Sequence, residues 1–143
     1  SGGFYPVSGA LADKHIMLVI KPGQHGSTFG GNPLAAAVAI RSLDVLIEEK
    51  MIERSAEMGE YFINKLRAIN NPKIKIVRGR GLWIGLVLNT KARPYCVRLM
   101  EEGMLCKDTH ETIIRIAPPL VITKEEIDWA VATIEKVLNE NLG

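Results

Sequence analysis

Little in this sequence is extreme, and what it lacks narrows the field. Cysteine is scarce: Cys96 and Cys106 are the only two in 143 residues. That excludes a disulfide framework and predicts two free thiols in a cytoplasmic protein. No run of about 18 apolar residues occurs, so no transmembrane helix is expected. Charge of one sign is missing too. Eighteen Lys and Arg against sixteen Asp and Glu leave a formal charge of +2, with no block of like charge. Neither a nucleic-acid partner nor a membrane surface is expected from that balance. His15, His25 and His110 have no metal-ligand spacing with the cysteines, so no metal site is expected. No repeat, low-complexity segment or Ser/His/Asp arrangement can be assembled. An initiator methionine and a signal peptide are absent as well. The chain opens Ser1-Gly2-Gly3 and enters an apolar stretch, Phe4 to Ala12, at once. This predicts a piece of something longer.

What is present is an ordinary globular composition, 47% hydrophobic and 24% charged, which argues against disorder. Three zones follow from pattern. From Ser1 to Pro33 the chain is rich in Gly and Pro. Its short apolar runs, Phe4–Ala12 and Ile16–Ile20, predict strands or a strand plus a short helical turn. Lys21 to Pro33 predicts a long loop, and such loops in compact chains are more often functional than accidental.

The second zone is helical. Asn32-Pro33 predicts a cap with proline at the first helical position, and the alanine-rich segment Leu34–Glu49 a closely packing helix. A second helix is predicted over Met51–Ile69, where Met58, Phe62, Leu66 and Ile69 form one apolar face. Asn70-Asn71-Pro72 ends it.

The third zone predicts a mixed α/β unit. Lys73–Arg78 and Leu82–Leu88 read as strands separated by Gly79-Arg80-Gly81, the second apolar on both faces and therefore central. Pro94–Glu102 predicts a short helix stopped by Gly103, and Met104–Lys107 and Thr112–Ala117 predict short strands. Thr123-Lys124-Glu125-Glu126 is a capping box, with Ile122 and Ile127 at the staple positions. Ile127, Ala130, Val131, Ile134, Val137 and Leu138 then mark one face of a final helix.

Four features carry possible chemistry. The loop His25-Gly26-Ser27-Thr28-Phe29-Gly30-Gly31-Asn32-Pro33 offers hydroxyls and leads into a helix N-terminus, which suits a phosphate. It is not a P-loop, and a simple turn is the alternative. Arg115, inside the apolar run Ile113–Ala117, needs a partner. A substrate carboxylate held by its planar fork and a structural ion pair both fit. Arg78-Gly79-Arg80-Gly81 reads as arginines facing solvent rather than RNA. Cys106 beside Lys107 has either a lowered pKa or the inert character of a buried thiol.

Three of these stretches resemble one family. His25–Leu34 resembles the phosphate-contacting loop of the class III, fold-type I, pyridoxal-phosphate aminotransferases. Val77-Arg78-Gly79-Arg80-Gly81-Leu82 resembles the start of their C-terminal small domain. Ile114-Arg115-Ile116-Ala117-Pro118-Pro119-Leu120-Val121-Ile122 resembles the substrate-carboxylate segment of the ornithine branch. Ala92–Cys96 and Gly103–Lys107 are similar to its bacterial members. Acetylornithine and 4-aminobutyrate branches are near neighbours.

The resemblance implies an α/β fold, the C-terminal part of a fold-type I transferase. Residues 1–33 would end the large domain, 34–70 form connecting helices and 71–143 form the small domain. It implies pyridoxal 5'-phosphate as cofactor. Ser27 and Thr28 would contact the cofactor phosphate of the neighbouring subunit in a homodimer, and Arg115 would bind the substrate α-carboxylate. The implied reaction moves the δ-amino group of L-ornithine to 2-oxoglutarate, with acetylornithine or another ω-amino acid as alternative substrate. The family's Schiff-base lysine is expected just upstream of Ser1. None of Lys14, Lys21 or Lys50 stands in that motif, so no catalytic residue is assigned within the chain, and the chain alone is expected to be inactive. A non-catalytic α/β interaction module is the reading from another class.

Overall fold

The computed structural model describes residues 1–142. The chain forms two compact units, Ser1–Lys50 and Met51–Gly143.

The first unit is a helix preceded by irregular chain. A single turn, α1 (Lys14–Met17), overlaps the start of the second apolar run and is the short helical turn expected there. No strand forms over Phe4–Ala12 or Ile16–Ile20, contrary to their apolar pattern. A strand needs a hydrogen-bonding neighbour, and none is within the unit. Phe4, Leu11 and Val19 are accordingly exposed. The helix α2 (Pro33–Glu48) starts as the sequence predicts, with proline at N1 and Asn32 as N-cap. Its close packing is not observed: Ala35 is its one buried residue.

The second unit holds a four-stranded antiparallel sheet with helices against one face. The elements are α3 (Met51–Ala68), β1 (Ile74–Arg80), β2 (Trp83–Leu88), α4 (Arg93–Glu101), β3 (Lys107–Thr109), β4 (Ile113–Ile116) and α5 (Lys124–Leu138). The strand order is β1-β2-β4-β3. Helix α3 packs on β1 and β2, α4 on β3, and α5 on α3 and α4. The stripe Met58, Phe62 and Leu66 of α3, with Ile69 just past its end, is buried as its spacing requires. It meets Ile84, Leu86 and Ile114 from the sheet and Ile127 and Ile134 from α5 in one cluster. Full burial of each such side chain is worth about 1.5–3 kcal/mol.

The strands alternate in burial with period two. Ile84, Leu86 and Leu88 face the helices. Trp83, Gly85 and Val87 lie on the opposite, open face. Thus β2 is central in the sheet, but one of its faces is uncovered, where the apolar run predicted cover on both.

Local signals set the ends. Helix α4 closes in a Schellman motif: Met104 N–H donates to the Leu99 carbonyl and Gly103 N–H to Met100, with Gly103 at φ +91°. The capping box of α5 is complete, with Glu126 N–H donating to Thr123 Oγ1 (3.2 Å) and Thr123 N–H to Glu126 Oε2 (2.8 Å). Arg54 ties α3 to the segment before α5 by donating to the carbonyls of Leu120, Val121 and Ile122. Arg98 on α4 pairs with Glu102 and with Glu140, and Glu102 also takes Lys136 of α5 at 2.7 Å.

The β1–β2 connection is tighter than the sequence predicts. Strand β1 runs on to Arg80, which pairs with Trp83, so only Gly81 and Leu82 form the turn. Gly81 has φ +55°, the sign that the first position of a II′ hairpin turn requires. Helix α3 passes directly over it. A Cβ on Gly59 would stand 2.2 Å from the Gly81 backbone, a distance no side chain tolerates.

Two outcomes are expected. Gly59→Ala should destabilise the sheet unit by at least about 1–3 kcal/mol through overpacking, measured by urea unfolding. An unchanged midpoint would mean that the helix moves aside freely. Lys136 and Arg98 hold the Glu102 carboxyl below its ordinary range. Its contribution to stability is therefore present above the usual glutamate range and lost as pH falls through the depressed value. Glu102→Gln should flatten the acid limb of a stability–pH profile. Identical profiles would show that the α4–α5 ion cluster contributes nothing.

Candidate functional site

The loop of the first unit is held at its junction with α2. Gly30 N–H donates to the Ser27 carbonyl (3.3 Å), closing a turn with Thr28 and Phe29 at its tip. Asn32 then works twice. Its Oδ1 accepts from Ala35 N–H (2.9 Å) and its Nδ2 donates to the Phe29 carbonyl (2.8 Å). Ser27 and Thr28 are exposed. Their hydroxyls have no partner among the described residues.

The helix start supplies less than its sequence promises. Pro33 has no N–H, Ala35 N–H goes to the Asn32 side chain, and Ala36 N–H to the Asn32 carbonyl (3.1 Å). Only Leu34 N–H is left over, so the capping asparagine itself fills the anion site that a bare N-terminus would present. What remains for an acceptor-rich ligand is the hydroxyl pair and the N–H groups at the tip of the turn. Those neutral donors fit a phosphate group, whose oxygens only accept.

Arg115 lies in the second unit, on β4. It is exposed, and no ion pair or side-chain hydrogen bond engages it among the described residues. The buried arginine that an apolar run suggests is therefore not present. Ile114 and Ile116 point into the core while Arg115 points to the open face of the sheet.

That face carries a cavity of about 370 Å³. Arg78, Trp83, Gly85, His110 and Arg115 are among its lining residues. The register explains the grouping. Arg78 pairs with Gly85 across β1–β2, and Gly85 pairs with Arg115 across β2–β4. Lys107 follows on β3, opposite Arg115. One row across the sheet therefore reads Arg, Gly, Arg, Lys. No carboxylate is among the residues lining the cavity. The acid on the adjoining strand, Asp108, is held by Arg93 at 3.0 Å, which keeps its carboxyl below the ordinary range.

Arg78, which the sequence predicts to face solvent, is exposed as expected, but neither its place on the cavity nor that of His110 is foreseen from sequence. The signal for Arg78 was its two-residue spacing from Arg80 beside a hairpin glycine, which sets both on one face. His110 has none, because its place depends on the β3–β4 turn. There His110 and Glu111 adopt φ +47° and +62°, a costly conformation outside glycine. The turn is held from outside: the Glu111 carbonyl accepts from Ala92 N–H (2.7 Å) and the Thr112 carbonyl from Leu88 N–H (2.8 Å).

The two cysteines are free, Cys96 buried and Cys106 partly so. The hydrogen bond to Cys96 and burial push the Cys106 thiol above its ordinary range. Lys107 beside it in sequence does not reverse that direction. No group of three or more His, Cys, Asp or Glu side chains is placed to hold a metal ion among the described residues. None of their helices is long and apolar enough to cross a membrane.

Comparison with known proteins places these features in one family. The family model of the class-III aminotransferases matches residues 1–138. An ornithine aminotransferase of Geobacillus sp. (strain WCH70) is 63% identical over 95% of this chain. The chain spans only 34% of the length of that relative. Among solved structures, an ornithine aminotransferase from Plasmodium yoelii superposes with a TM-score of 0.88 at 44% identity, over 96% of this chain and 38% of its own. An acetylornithine aminotransferase from Elizabethkingia anophelis gives 0.86 at 48% identity, over 96% and 36%. With a family model covering nearly its whole length and a matching fold, the chain belongs to the class-III aminotransferases.

Proposed function

We propose that this chain is part of a transaminase that moves the δ-amino group of L-ornithine to 2-oxoglutarate, giving glutamate and glutamate semialdehyde, which cyclises. The observation that carries this reading is Arg115: an unpaired guanidinium on a cavity without carboxylates, in a chain about 60% identical to bacterial ornithine aminotransferases. Arg115 binds the α-carboxylate of the substrate with its planar fork and orients the rest of the molecule. Ser27 and Thr28 donate their hydroxyls to the phosphate of pyridoxal 5'-phosphate bound by the neighbouring subunit of a homodimer. When bound, that cofactor supplies the electron sink for the amino-group transfer. The Schiff-base lysine comes from a segment preceding Ser1.

In the longer protein, residues 1–33 end the large domain, 34–70 connect, and 71–143 form the small domain. Apolar side chains exposed in the first unit, such as Phe4 and Leu11, pack there against other parts of the large domain. Two free thiols suit the reducing cytoplasm. Acetylornithine is the second candidate substrate, supported by the likeness to the Elizabethkingia anophelis enzyme.

In the full-length enzyme, Arg115→Ala should raise KM for both substrates, equivalent to about 2–5 kcal/mol for loss of a charge-assisted clamp. Unchanged kinetics would assign Arg115 a structural role. Thr28→Val should weaken cofactor retention on dialysis, followed by absorbance, and full retention would count against phosphate contact. A kcat/KM for N-acetylornithine above that for ornithine would move the enzyme to the neighbouring branch.

A further inference from the structure

Three arginines line the cavity on the open face, Arg78, Arg80 and Arg115, and the Arg115 reading uses one of them. Arg78 lies on β1, two strands from Arg115, with Gly85 between them in the same row. At about 4.8 Å per strand their Cα atoms are about 10 Å apart, a gap that two long side chains span from opposite sides. The Arg78 side chain is already laid over the glycine. Its Cγ and Nε both lie 3.8 Å from where a Gly85 Cβ would stand. No acidic side chain pairs with Arg78 among the described residues. Two guanidiniums facing one cavity repel each other, and the arrangement is stabilised only when an anion enters.

We propose that Arg78 supplies the second guanidinium of the carboxylate cradle, holding the same substrate carboxylate as Arg115, with Gly85 as the open floor on which it rests. This inference rests on the reading of Arg115 as the carboxylate clamp. It adds a binding residue and a reason for a glycine in the middle of a central strand, where a β-branched residue would otherwise be favoured. A Cβ alone at Gly85 is sterically ordinary, 3.4 Å from Ile113 Cγ2. The backbone therefore does not demand glycine there; the free space above it is what the residue provides. A larger side chain would fill the floor of the cavity and push the Arg78 side chain off it without removing either charge.

The test uses the full-length enzyme loaded with cofactor, with KM and kcat for both substrates and the inhibition constant of glutarate, a dicarboxylate that cannot react. Arg78→Met should raise both KM values and the glutarate constant at least tenfold while kcat stays within about twofold. Arg78→Lys, which keeps the charge and loses the fork, should recover part of the loss. Gly85→Val should raise the same constants with the charges intact. If Arg115→Met raises them and Arg78→Met does not, the second guanidinium is refuted while the clamp stands. If neither variant moves them, the clamp itself has failed, and the cradle with it. A lowered melting temperature for Arg78→Met, with unchanged glutarate inhibition in Arg78→Lys and Gly85→Val, would make Arg78 a structural residue and overturn the proposal.

Discussion

Helix α3 and the β1–β2 turn approach so closely that only hydrogen atoms fit between Gly59 and Gly81. Gly81 also supplies the positive φ of a two-residue turn, and such a turn fixes the pairing of the strands it joins. Leu82 N–H is further held by Ser55 Oγ of α3 at 3.3 Å. The helix thus grips the turn, and the turn sets the register. Because side chains alternate with period two, a slip of one residue would send Arg78 toward the core and Val77 to the surface. The pairing of Arg78 with Gly85, and of Gly85 with Arg115, exists only in this register. A glycine contact in the core thereby governs what stands on the open face.

The same alternation accounts for a charged residue within an apolar run. In β4 the sequence Ile113-Ile114-Arg115-Ile116 is apolar at both core-facing positions, and the arginine falls on the other face. The choice between a buried ion pair and a ligand-binding arginine, open when the sequence alone is considered, is narrowed by exposure and by the lack of an acidic partner. Arginine tolerates such a site better than lysine does, because its weakly hydrated fork loses less when it exchanges water for a carboxylate.

Local chemistry was legible wherever neighbours in sequence settle it. The Thr123–Glu126 box, the Asn32-Pro33 start and the Gly103 stop all involve partners within five residues, and all are formed. The apolar stripe of α3 was legible for the same reason, since one turn of helix brings its members together. Arg78 was not legible as a cavity residue. Its neighbours Gly85 and Arg115 are supplied by strand pairing, which no local pattern of charge reveals. The Cys106 thiol was open for a similar cause. Its lysine neighbour in sequence is outweighed by Cys96, ten residues away on α4.

The strand expected at Phe4–Ala12 shows the limit from the other side. An apolar run states that a segment is to be covered, but it does not supply the hydrogen-bonding edge that makes it a strand. In the second unit each strand finds such an edge within about 40 residues of chain, and every backbone ladder closes there. In the first unit the apolar run has the pattern and no edge, so it stays irregular and exposed. The loop at Ser27–Asn32 escapes this dependence because its order is local. One asparagine side chain bonds both ends of the junction, and the turn that carries the two hydroxyls needs no partner strand to hold its shape. The exposed hydroxyls of Ser27 and Thr28 thus sit on a turn held by hydrogen bonds within the segment itself. The row of Arg78, Gly85 and Arg115, built from residues of β1, β2 and β4, cannot form until those strands have paired.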